Sequence, residues 1–223
     1  MIKQDSNYAF IDSQNLHLAV RHLGWTIDFP KFRAYLRDVY HVGRAYLFIG
    51  FREEYTELYA DLQGAGFILV LKPTIKARDG TVKGNCDADL VLQAMIDLPD
   101  YDKAVIITGD GDFASLVRYL REHKKLEVLI APDKNRYSGL LETAAGTDIA
   151  FLSDERARLA MKKVPGDTIV VSIEEIIPES ADHLDTPVSA PVMAAKSSKS
   201  RRRGHREGRG RGRGRARGAK AKS

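Results

Sequence analysis

Short apolar runs recur along the chain at Tyr8–Ile11, Ala45–Ile49, Phe67–Leu71, Ala104–Thr108, Glu127–Ile130 and Ile149–Leu152. They have the length and continuity of strands buried on both faces. Between them, Leu16–Leu23, Phe32–Tyr40, Glu53–Leu62, Asp89–Leu98, Phe113–His123 and Leu140–Ala145 carry apolar residues at helical spacing. Strand alternating with helix predicts an α/β fold, a central parallel sheet covered by helices on both faces. Sheets of this kind bind ligands beyond the carboxyl ends of their strands, so those ends are where chemistry is to be sought.

The pattern fades after Lys163. Thr168–Ile173 has the composition of an edge strand, but Pro165, Pro178, Pro187 and Pro191 punctuate a polar, acidic stretch. From Lys196 onward no apolar residue larger than alanine is present to build a core. The expected organisation is a folded domain over 1–163, a linker with a candidate edge strand over 164–195 and a disordered basic tail over 196–223. The edge strand also offers a route to a homo-oligomer by strand pairing between copies.

Charge sharpens this division. The net charge of +5 conceals a tail, Lys196–Ser223, with 13 Lys/Arg against one acid, so residues 1–195 carry −7. An acidic globule joined to a cationic arm suggests a polyanionic partner. The single cysteine, Cys86, excludes an internal disulfide, and the six histidines show no zinc-ligand spacing. No apolar run approaches the roughly 18 residues of a membrane-spanning helix, and the polar amino terminus does not read as a signal peptide. These features predict a chain without membrane contact, in a reducing cytoplasm.

Acids gather where the strands end. The first run leads into Asp12-Ser13-Gln14-Asn15 and the fourth into Gly109-Asp110-Gly111-Asp112, while Asp87 and Asp89 open the helix between them. Each acid has a plain structural explanation, because Asp is a favoured helix N-cap and turn residue. Crowded on one rim, however, they repel one another in a medium of low dielectric unless a cation or protons offset the charge. Magnesium or manganese fits, since hard cations take oxygen ligands and no thiolate or imidazole group competes. Such an ion activates water and stabilises the charge of a phosphodiester transition state, which predicts hydrolysis. Asp12, Asp87 and Asp110 are the expected direct ligands. Asp112 and Asp89 are candidates for a second ion or for orienting water, with Asn15 and Thr108 as supporting partners.

The same residues carry a resemblance. Phe-Ile-Asp-Ser-Gln-Asn (10–15), Lys-Gly-Asn-Cys-Asp-Ala-Asp-Leu (83–90) and Ile-Thr-Gly-Asp-Gly-Asp-Phe (107–113) resemble the three signatures of NYN domains, and the chain is similar to the LabA-like branch of the PIN-like nucleases. The likeness spans roughly residues 5–160, and three motifs in order are specific where one alone is weak. It implies a PIN-like α/β/α sandwich and a magnesium- or manganese-dependent ribonuclease, with Asp12, Asp87, Asp110 and Asp112 as catalytic residues and Asn15 supporting the first. Many NYN domains place a further aspartate near the position of Gln93, whereas here the acid is Asp89.

The tail points the same way. Arg201, Arg202, Arg203, Arg206, Arg209, Arg211, Arg213, Arg215 and Arg217 interleave with glycine, a composition that suits single-stranded RNA through phosphate forks and base stacking. A solubilising tail is the plainer alternative. Lys83 is either a phosphate contact or, more simply, a solvated loop charge. Cys86 reads as a small packed residue rather than a nucleophile, and Trp25 and Phe29 as packing residues. A haloacid-dehalogenase-like phosphatase would need a second aspartate where Gln14 stands. DNA cleavage and a non-catalytic RNA-binding or regulatory module remain the competing readings.

Overall fold

The computed structural model describes residues 5–73, 75–76, 82–83 and 86–161. The linker, the Thr168–Ile173 segment, the arginine tail and the Lys83 side chain lie outside the described residues. Among the described residues no helix is long and apolar enough to cross a membrane.

Six strands, β1 (Asn7–Asp12), β2 (Val42–Phe51), β3 (Ile68–Pro73), β6 (Ala104–Ile107), β7 (Leu126–Ala131) and β8 (Ile149–Phe151), form one parallel sheet in the order β3-β2-β1-β6-β7-β8. A two-residue antiparallel pair, β4 (Ile75–Lys76) with β5 (Val82–Lys83), stands apart from it. All six expected strands are present. The α/β sandwich is therefore the observed architecture.

Alternation along the strands divides two cores. Ala9, Ile11, Ala45, Leu47, Ile49, Val105 and Ile107 face one side, where α1 (Ser13–His22), α2 (Phe29–Tyr40) and α3 (Thr56–Gly64) bring Leu16, Phe32, Leu36 and Leu62. Tyr8, Phe10, Tyr46, Phe48, Ala104 and Ile106 face the other, against α4 (Asp87–Ile96), α5 (Ala114–Glu122) and α6 (Gly139–Ala145). Successive residues of a strand point to opposite faces, so a strand covered on both sides must be apolar throughout. A short helix, α7 (Arg156–Leu159), adds Leu159 to the first core. Trp25 and Phe29 pack there as expected, with Phe29 edge-on to Phe67 at 5.8 Å.

Helix boundaries follow local chemistry. Asp28 caps α2, accepting from the Lys31 amide at 3.1 Å, with Pro30 in the first turn where its missing N–H does no harm. The expected helix over Glu53–Leu62 opens instead as a 3-10 turn, Glu53–Tyr55, before α3 begins. Helix α4 starts at Asp87, two residues ahead of the expected Asp89. That earlier start places both acids in its first turn.

Strand order reverses between β1 and β6: the chain leaves β1 for a helix on one face and leaves β6 for a helix on the other. Divergence of the two connections opens a crevice at the carboxyl ends of this central pair. Asp12 closes β1 and Thr108 follows β6. By the alternation, both lie on the face that α4 covers.

Candidate metal centre

A chain of hydrogen bonds joins the ends of the two central strands. One Asp12 oxygen caps α1 by accepting from the Asn15 amide at 3.1 Å, and the other accepts from the Thr108 hydroxyl at 3.1 Å. The capping explanation for Asp12 holds for one oxygen, while the other ties β1 to the residue that follows β6. Thr108 Oγ1 in turn accepts from the Asp110 amide at 3.1 Å, and Asp110 Oδ1 accepts from the Asp112 amide at 2.9 Å. The Asn15 side-chain oxygen accepts from the Gly109 amide at 2.6 Å, which fastens the same loop a second time. Asn15 and Thr108 are each bonded directly across the crevice.

Asp87, Asp110 and Asp112 each offer a carboxylate oxygen, and these oxygens all lie within 4.8 Å of one another. Asp12 is not one of this trio but lies near enough to feel the charges of Asp87 and Asp110. Burial pushes its carboxyl up to about 7, the charges of Asp87 and Asp110 push the same way, and the Asn15 and Thr108 hydrogen bonds oppose the rise. Asp89 stands differently: its carboxylate pairs with the Lys72 ammonium at 2.6 Å.

This donor set fits a hard divalent cation. Every donor is a carboxylate oxygen, the ligand type that magnesium and manganese accept. The adjacent Cys86 thiol is pushed up to about 11, chiefly by burial, and lies outside the carboxylate trio. A bound cation would also offset the repulsion that adds to the effect of burial on Asp12.

Two neighbours were not singled out from the sequence. Lys72 lies near the end of β3, and Asp133, 1% exposed, just beyond the end of β7. The signal available for both was position alone, since each follows an apolar run at the ligand-binding end of the sheet. Asp133 accepts from the Asn135 amide at 2.9 Å and shapes the loop leading to Ser138, whose amide donates to the Gly109 carbonyl at 3.0 Å. That loop buttresses the acidic one.

Gly111 makes the buttress tight. A Cβ at this position would lie 2.5 Å from Ser138 Oγ and 3.0 Å from Ser138 Cβ. Ser138 also caps α6 through the Leu140 amide at 3.3 Å, so it cannot give way without loss. Gly111→Ala is expected to destabilise the fold by about 1–3 kcal/mol, measured by chemical denaturation. An unchanged midpoint would show that the loop relaxes freely.

The model of the NYN domain family matches residues 8–151. Among solved structures, a protein of unknown function from Vibrio parahaemolyticus is similar in fold, with a TM-score of 0.60 at 23% identity, covering 72% of this chain and 99% of that one. A comparison with curated proteins returns no match.

Proposed function

We propose, because this chain belongs to the NYN domain family of PIN-like nucleases, that it is a divalent-metal-dependent ribonuclease of the LabA-like branch, hydrolysing phosphodiester bonds in cytoplasmic RNA. The observation that supports this reading is the meeting of Asp87 with Asp110 and Asp112 at the strand-order reversal, close enough to Asp12 for Asp87 and Asp110 to act on its carboxyl. Burial, with the added charge of Asp87 and Asp110, raises the Asp12 carboxyl toward neutrality, and gathered carboxylates that repel one another suit a cation site better than they serve folding.

Asp87, Asp110 and Asp112 would hold magnesium or manganese, with Asp12 completing the set. The bound ion would supply a nucleophilic water at neutral pH and charge stabilisation for the phosphoryl oxygens. The protein's share is placement. Thr108 and Asn15 hold Asp12 and the Gly109–Asp112 loop in register, so the carboxylates need no rearrangement when substrate arrives. Domain 1–163 carries the chemistry, and the linker 164–195 tethers the tail 196–223. Arginines in that tail bind RNA by charge and stacking, countering the repulsion between an acidic domain and a polyanion.

Cleavage of labelled single-stranded RNA in manganese, magnesium or EDTA tests the reading. Cutting in either metal and none in EDTA supports it; binding without cutting in all three would overturn it in favour of a non-catalytic RNA-binding module. A chain ending at Ala195 tests the tail. Its KM is expected to rise roughly ten- to a hundredfold with kcat nearly unchanged, the signature of lost local concentration. Equal losses in both constants would contradict that role.

A further inference from the structure

We infer that Lys72 binds a substrate phosphate beside the metal centre and that Asp89 is its tether in the absence of RNA, an inference that rests on the nuclease reading above. Register carries the placement. Asp12 is paired with Phe48, Phe48 with Val70, and Lys72 lies two residues further along β3. Val70 packs in the α4-side core, so Lys72 shares the sheet face of Asp12 and Thr108. It stands two strand positions across from Asp12, about 10 Å, and one pleat repeat higher, about 7 Å. That is within reach of a long side chain bridging to a phosphate next to the one being cleaved.

The ammonium has a defined position. It reaches the first turn of α4, 2.6 Å from Asp89, and the acid it meets is two residues from Asp87. The Asp89 oxygen in the pair is itself covered, but side-chain exposures of 36% for Lys72 and 39% for Asp89 leave the lysine open to an incoming anion. An exposed ion pair is worth little to folding, so exchanging one carboxylate for a phosphate oxygen is not opposed by stability. The flexible stem of lysine suits such a handover.

The test uses the full-length chain and labelled oligouridine. Cleavage in manganese gives kcat and KM, and fluorescence anisotropy in calcium over a salt series gives affinity. Lys72→Ala is expected to raise KM and weaken binding roughly tenfold, with kcat changed less than threefold. The slope of log affinity against log salt should fall by about 0.7, the value of one phosphate contact to a single strand. Lys72→Arg should restore the slope, and Asp89→Asn should bind RNA at least as tightly as the parent, with manganese affinity held. An unchanged KM and slope in Lys72→Ala would overturn the inference, as would loss of manganese affinity in Asp89→Asn, which would make Asp89 a ligand. Absence of cutting by the parent chain defeats the nuclease reading alone, because the anisotropy slope still reads the Lys72 contact.

Discussion

Asp110→Asn is expected to remove metal-dependent RNA cleavage by roughly a thousandfold or more in kcat while leaving the protein folded. Asparagine keeps the oxygen that accepts from the Asp112 amide at 2.9 Å, and it caps a helical turn as well as aspartate does. What it removes is one negative charge from three oxygens gathered within 4.8 Å. Transition-state charge stabilisation by a metal amounts to several kcal/mol, and each 1.36 kcal/mol is tenfold in rate. Single-turnover cleavage, with calorimetry for manganese affinity and a thermal melt as the folding control, checks the result. A folded Asp110→Asn that cleaves within threefold of the parent would displace the chemistry from this crevice.

The second large effect is on stability in EDTA, where no cation shields the acids. Burial, then Asp87 and Asp110, raise the Asp12 pKa from 3.8 to about 7, so the folded chain holds this proton more tightly than the unfolded chain. The stabilisation is complete below about pH 4 and is lost as pH rises through the window to about pH 7. Its upper bound is on the order of 4 kcal/mol. Asp12→Asn cannot ionise, so it should lack this share of the pH slope and be more stable than the parent at pH 8. Manganese should restore the parent more at pH 8 than at pH 5, where protons compete for the same oxygens. Denaturation midpoints across pH 4–8 for both proteins, with and without the ion, measure the difference. Parallel pH profiles for the two would mean that Asp12 titrates normally.

Strand positions were legible because residues such as Phe10, Ile11, Ile106 and Ile107 are buried on both faces and leave uninterrupted apolar runs. Uninterrupted runs do not encode which residue faces which side, and the shift between Leu126 and Val128 against β6 could not be read from them. The polar Gly43-Arg44 pair hid the start of β2 at Val42. Asp12, Asp87, Asp110 and Asp112 stood out because each follows a strand or opens a helix. The pairing of Lys72 with Asp89 did not, because contact between a strand end and a helix start exists only once the chain between them has turned back. Asp133 was hidden for another reason: after Pro132 it reads as an ordinary turn residue.

The bonds from Asp12 to Thr108 and from Asn15 to Gly109 tie together the two innermost strands, each shielded by helices above and below. Segments in such positions open only when the whole domain unfolds, and their amides are the slowest to exchange with solvent. The frame under Asp12 and the Gly109–Asp112 loop is therefore built once, when the chain folds, and a local fluctuation does not dismantle it. Asp87 joins it from elsewhere, the first turn of α4. On the proposed nuclease reading, control over which RNA is cut acts at the rim, on delivery of substrate and on the turn that brings Asp87, rather than on this frame.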